Sequence, residues 1–192
     1  MFVLVTGGSG SGKSVYAESR VLQMGEDSSS PERIYIATMQ CLDDESRSRA
    51  ARHRKMRSGK GFCTIEQPLF LEEMTLPKRS GTDSVTCLLE CMSNLAANEM
   101  FDPLGRGEEA AGVILDGIDR LLNSCDNLVV VTNEDFEDGL LYTPAVRRYQ
   151  ALLGKLNRRM ADLADEVVEV VYGLPHVLKK RKQQEPERGK TA

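Results

Sequence analysis

Eight consecutive residues near the start of the chain, Gly7-Gly8-Ser9-Gly10-Ser11-Gly12-Lys13-Ser14, complete the pattern G-x-x-x-x-G-K-S. Glycines let backbone N–H groups converge on phosphate oxygens, and a helix opening just after them adds a favourable partial charge. In that geometry Lys13 reaches the β- and γ-phosphates of a nucleoside triphosphate, and the Ser14 hydroxyl ligates Mg²⁺. An apolar run, Phe2–Thr6, precedes the loop, and a helical pattern, Lys13–Met24, follows it. This context distinguishes a nucleotide site from an ordinary glycine-rich turn.

A phosphate loop works with an acidic residue at the end of a neighbouring strand. Glu90, closing Val85-Thr86-Cys87-Leu88-Leu89-Glu90, is the first candidate for orienting Mg²⁺ or its waters. Glu134, after Val129-Val130-Val131-Thr132-Asn133, is the second. Asp116 and Asp119 run on into Arg120-Leu121-Leu122 with helical spacing and read as solvated helix acids. A third feature is Arg47 to Lys60, with seven Lys or Arg, one His and no acid. Alone, a basic helix is a solvated face or an RNA-facing patch. Beside a triphosphate it can clamp phosphates instead. His53 lies within it, and a neutral imidazole next to a nucleotide phosphate can attack phosphorus. The plain alternative is an exposed, inert ring.

These residues need a scaffold. Near-continuous apolar runs at Phe2–Thr6, Arg33–Thr38, Val85–Glu90, Leu128–Asn133 and Val167–Tyr172 read as strands covered on both faces. Helical patterns lie between them at Lys13–Met24, Leu42–Met56 and from Thr143-Pro144 onward. The last opens with a capping residue and a proline at the first helical position. Strands alternating with helices predict an α/β fold with a mostly parallel, doubly wound sheet. Gly25–Glu32 and Asp102–Gly112 read as irregular. Residues 1–178 are expected to form a single domain, and 179–192 a disordered basic tail without an apolar anchor.

Of the 192 residues, 41% are apolar and 28% charged, as in a soluble globular protein. No apolar run approaches the roughly 20 residues of a membrane span, and the expected location is the cytoplasm. The net charge of −4 argues against a general nucleic-acid binder. Five scattered cysteines and two histidines offer no zinc spacing, and the thiols are expected to be reduced.

Several ordered blocks carry a resemblance. They are the phosphate loop, Tyr35-Ile36-Ala37-Thr38, and Glu45-x-x-x-Arg49-x-x-x-His53-x-x-x-Arg57 followed by Thr64-x-Glu66. Leu89-Glu90-Cys91, Val131-Thr132-Asn133-Glu134, Gly154-Lys155-Leu156-Asn157 and Gly173-Leu174-Pro175 come later in the same order. The chain resembles, from Phe2 to about Lys179, the bifunctional adenosylcobinamide kinase / adenosylcobinamide-phosphate guanylyltransferase family of cobalamin biosynthesis. The resemblance implies a RecA-like phosphate-loop sheet, a homotrimer, and Mg²⁺ with GTP, or ATP for the kinase step. It implies phosphorylation of adenosylcobinamide, then transfer of GMP to its phosphate through a guanylylated histidine, which falls on His53. Nucleotide contacts fall on the phosphate loop, Ala37, Thr38, Met39, Arg54, Arg57, Glu66 and Glu90. The chain departs from the family pattern at Gly10, where a basic residue is usual, at Phe62, where Trp is common, and at Ala151, where an acid is common. The acidic run Asp135-Phe136-Glu137-Asp138 also replaces a glycine-containing loop. Two other readings remain: a phosphate-loop kinase of another small alcohol, and a non-catalytic nucleotide-binding module.

Overall fold

The apolar runs assemble side by side because each buries alternate residues on opposite faces. The computed structural model describes residues 1–26, 28–41, 43–77, 81, 84–133 and 142–181, apart from the side chains of Arg49 and Met56. Seven strands form one sheet: β1 (Phe2–Thr6), β2 (Pro31–Ala37), β3 (Phe62–Glu66), β4 (Ser84–Glu90), β5 (Asn127–Val131), β6 (Glu166–Val171) and β7 (Leu174–Lys180). Their order is β3-β2-β4-β5-β1-β6-β7. Every neighbouring pair is parallel except β6 with β7. The sheet is therefore mostly parallel and belongs to the doubly wound α/β class.

Alternation along the strands feeds two cores. Phe2, Leu4, Cys87, Leu89, Leu128 and Val130 point into one. Val3, Val5, Leu88, Val129 and Val131 point into the other, where α1 (Lys13–Met24) covers them with Ala17 and Val21. The first core is roofed by α3 (Met92–Phe101), α4 (Ala110–Ser124) and α5 (Pro144–Leu163). In α4, Ala110, Ile114, Ile118 and Leu121 recur at the three- and four-residue spacing of one buried face. Asp116 and Asp119 lie on that helix, as their spacing predicts. The N-cap Thr143 hydroxyl accepts from Val146 N, with Pro144 at the first turn of α5. No described helix is long and apolar enough to cross a membrane.

α2 (Asp44–Arg57) is different, because it has almost no apolar face. It is held by its ends. Asp43 and Ser46 form a reciprocal capping box at its start. Beyond its last turn the Lys60 ammonium donates to the buried Glu18 of α1.

Two strands and one helix were not evident from the sequence. β3 is a half-exposed edge strand, β7 is the opposite edge, and α3 follows β4 after a single residue. Edge strands carry little buried apolar pattern, so periodicity does not mark them. The stretch expected to be irregular over Asp102–Gly112 is ordered from Gly107, first as a 3-10 turn and then as α4. The expected tail also begins too early. Lys179 Nζ donates to the carbonyls of Ala161 and Asp162 at 2.8 and 3.0 Å, a cation set against a helix C-terminus. Arg181 pairs with Asp165 at 3.2 Å. Residues 179–181 are thus tied to the sheet, and the rest of the expected tail, 182–192, lies outside the described residues.

Candidate functional site

The phosphate loop joins β1 to α1 over the C-terminal ends of the parallel strands, where open α/β sheets bind ligands. Its glycines have specific duties. Gly7 has φ of +144°, and a Cβ there would collide with the Val170 carbonyl and the Ser11 hydroxyl. Gly12, at +93°, caps α1 and lies against Gly173, which donates its N–H to the Ser11 carbonyl at 2.8 Å. Gly173 belongs to the two-residue turn between β6 and β7, with φ of 52° at Tyr172 and 80° at Gly173. Two positive φ values in succession are the mark of a tight hairpin turn of the I′ type. The hairpin therefore buttresses the loop from outside. Gly10 is the exception: a Cβ there meets nothing within 4 Å, although its φ of +73° still favours glycine.

Lys13 Nζ donates to the Gly8 carbonyl at 2.8 Å, which holds the ammonium over the loop with two further donors available. Ser14 Oγ donates to Glu90 Oε1, joining residues 76 apart in sequence. The strand order explains the approach: β5 stands between β1 and β4, so the ends of both flanking strands open on the same crevice. Glu90 Oε2 accepts from the Tyr35 hydroxyl at 3.1 Å, and His53 Nδ1 lies 4.0 Å from Oε1. The Arg57 guanidinium carbon stacks 3.3 Å from the Tyr35 ring centroid. Burial, then the Glu90 charge, pushes the Tyr35 phenol well above its ordinary range, so it remains a donor.

A cavity of about 530 Å³ connects these groups. Ser9 to Ser14 line one wall, and His53, Arg54 and Arg57 another. Ala37, Met39, Glu66 and Glu90 also line it, with Arg54 Nη1 3.5 Å from Glu66 Oε1. Gly7, Gly8 and Thr38 are not among its lining residues. Thr38 is fully buried, its hydroxyl donating to the Cys91 carbonyl at 2.8 Å and its own carbonyl accepting from Asn98. It fastens the strand ends rather than facing the cavity. Glu134 and Asp135–Asp138 lie outside the described residues, as does the Arg49 side chain.

Several lining residues had no role assigned from the sequence, among them Tyr35, Asn94 and Asn133. Asn133 Nδ2 donates to Ser93 Oγ at 3.0 Å, and Ser93 also contacts the Cys91 sulfur. Burial raises the Cys91 thiol, which leaves it a poor nucleophile. A tyrosine between Ile34 and Ile36 in a buried strand is the one signal that could have marked Tyr35, since a buried hydroxyl needs a partner.

Among the described residues, no three His, Cys, Asp or Glu gather as a metal cage. Ser14 and Glu90 instead offer two hard oxygens beside a phosphate cradle. That set fits Mg²⁺, which takes one or two protein ligands and completes its shell with phosphates and water.

Residues 3–178 match the family described as cobinamide kinase / cobinamide phosphate guanyltransferase. Two relatives, each named bifunctional adenosylcobalamin biosynthesis protein CobU, come from Salmonella typhimurium and Escherichia coli. Both are 31% identical over 185 residues, covering 91% of this chain and 97% of the relative. Among solved structures, a KaiC-like protein from Pyrococcus horikoshii is similar with a TM-score of 0.47 at 14% identity, covering 88% of this chain and 71% of that one. The flagellar accessory protein FlaH from Methanocaldococcus jannaschii gives 0.45 at 12%, covering 94% and 78%. With a match running through nearly the whole chain, this protein belongs to the cobinamide kinase / cobinamide phosphate guanyltransferase family, enzymes that are both kinases and nucleotidyltransferases.

Proposed function

We propose that the protein phosphorylates adenosylcobinamide and then transfers GMP from GTP, through His53, to adenosylcobinamide phosphate, giving adenosylcobinamide-GDP. One observation carries this reading: a histidine from the basic helix shares a cavity with a complete phosphate loop, 4.0 Å from the acid that Ser14 contacts. A plain kinase has no need of that imidazole.

In the guanylyl step, a His53 ring nitrogen forms a bond to the α-phosphorus of GTP while the bond to pyrophosphate breaks. Glu90, near Nδ1, faces the positive charge that develops on the ring. A phosphate oxygen of the second substrate then attacks the same phosphorus, the N–P bond breaks, and the imidazole leaves neutral. Each step is an in-line displacement by a positioned nucleophile. In the kinase step, Lys13 neutralises charge on the transferring group; Ser14 and Glu90 would hold Mg²⁺, which would supply further charge neutralisation at the phosphates. Arg54, Arg57 and Glu66 would contact the nucleotide. ATP is the second nucleotide to try for phosphorylation. We assign the enzyme to the cytoplasm, in keeping with its free cysteines, and expect a homotrimer.

Incubation with GTP labelled at the α-phosphorus tests the reading. Protein-bound label that is acid-labile and base-stable is expected, and His53→Ala should abolish it while sparing most phosphorylation of the cobinamide hydroxyl. Label retained in His53→Ala would remove this histidine from the mechanism. Phosphorylated product without any protein label in the unmodified enzyme would favour the plain kinase.

A further inference from the structure

Tyr35 touches both halves of the site from beneath. Its side chain comes from β2, which β3 and β4 flank, and the residue is only 3% exposed. Phe62 stands edge-on to it at 6.3 Å and fixes the ring plane. The hydroxyl donates to Glu90 Oε2 at 3.1 Å, and this leaves Oε1 as the oxygen turned to Ser14 and His53. Without that donor the carboxylate has no fixed reason to present one particular oxygen to the metal side. On the ring face lies the Arg57 guanidinium, 3.3 Å from the centroid. Arg57 is 6% exposed, yet its Nε and Nη1 have no hydrogen-bond partner among the described residues. A buried guanidinium with unused donors in a cavity is a site for an anion. Stacking leaves the in-plane donors free, because the ring occupies a face of the guanidinium and not its edge.

We infer that Tyr35 is the positioning residue of this site, setting the Glu90 carboxylate toward Ser14 with its hydroxyl and holding Arg57 in the cavity for a nucleotide phosphate with its ring. The inference rests on the nucleotide-binding part of the reading above. It assigns two separable duties to one side chain. Tyr35→Phe removes only the first, since the ring remains. Tyr35→Leu removes both. Arg57→Lys keeps the charge and loses the planar stack, so it isolates the second.

Calorimetric titration of the full chain with a non-hydrolysable GTP analogue, in Mg²⁺ and in EDTA, separates these duties without relying on turnover. For Tyr35→Phe the affinity in EDTA should stay within about twofold of the unmodified protein. The tightening brought by Mg²⁺ should fall about tenfold, the weight of one hydrogen bond to a charged group. Glu90→Gln should lose the same tightening, and Tyr35→Phe combined with Glu90→Gln should be no worse than Glu90→Gln alone. Tyr35→Leu and Arg57→Lys should each weaken the EDTA affinity about tenfold. An unchanged Mg²⁺ response in Tyr35→Phe, or additive losses in the double variant, would overturn the inference while leaving the nucleotide site intact. Failure of the unmodified protein to bind the analogue in either buffer would overturn the nucleotide reading and this inference with it.

Discussion

At the scale of single residues, the proposed mechanism divides the site into groups that would meet phosphate and groups that would aim them. Lys13 belongs to the first, and its ammonium is held by one carbonyl with further donors available. Lys13→Ala should therefore cost on the order of a hundredfold or more in phosphorylation rate, the scale of deleting one preorganised donor to developing charge. Ser14→Ala should lose activity too, but partly recover it at high Mg²⁺, because serine is one of several oxygens around the ion. Steady-state rates across a Mg²⁺ series check both, and full activity in Lys13→Ala would sink the phosphate-loop assignment. Thr38 corrects a simple reading of the motif. It follows Ala37, the last residue of β2, yet its hydroxyl is engaged by the Cys91 carbonyl, and only Ala37 and Met39 of the three reach the cavity wall. Alternation along an extended chain explains why neighbours in sequence face opposite ways.

Among the elements, the hairpin of β6 and β7 has a function that its exposed residues conceal. Its turn presses on Gly12 and donates from Gly173 N to Ser11 O. Gly173→Val would force a β-branched residue to φ near +80°. A loss of about 1–2 kcal/mol is expected, which for a chain of this size lowers Tm by several degrees. Nucleotide affinity should fall alongside, because the phosphate loop loses its outer support. Thermal melts with and without GTP read both effects, and a normal nucleotide-induced shift in Gly173→Val would refute the buttress. α2 shows the converse design. It buries no apolar face among its described side chains, and Arg57 in its last turn is its sole buried one. Its anchors are a capping box, the stack on Tyr35 and the Lys60–Glu18 pair just beyond its end. A helix so attached can carry His53 without being locked into the core, which would suit the proposed role of taking GMP from GTP and passing it to a second substrate.

For the molecule as a whole, one sheet ties the chemistry together, and its β7 edge exposes apolar side chains. Leu174, Val177 and Leu178 are each more than half exposed there. Apolar side chains on an edge strand invite association with another chain. The trimer expected for this enzyme should appear in light scattering at micromolar concentration as three times the 21.3 kDa chain mass. Val177→Lys combined with Leu178→Glu should reduce the mass if this edge is the contact. A monomer in the unmodified protein, with nucleotide present, would contradict the trimer itself.

Local signals made part of this protein legible from its residues alone. The glycine spacing of Gly7–Ser14, the apolar strands and the carboxylate at the end of β4 depend on neighbours in sequence, and all three lie where their patterns require. The resemblance brought His53 to the same nucleotide, and the fold sets it in the same cavity. Other features had no local trace. β3 and β7 are edges with too little burial to impose a period, and their recruitment depends on hydrogen bonds offered by β2 and β6. Strand order was likewise decided by packing two apolar faces at once, and it is the order, with β5 between β1 and β4, that lets Ser14 meet Glu90. The stack of Arg57 on Tyr35 also joins residues from a helix and a buried strand. Residue type and spacing determined which groups could do the chemistry; the summed packing of both sheet faces decided which of them meet.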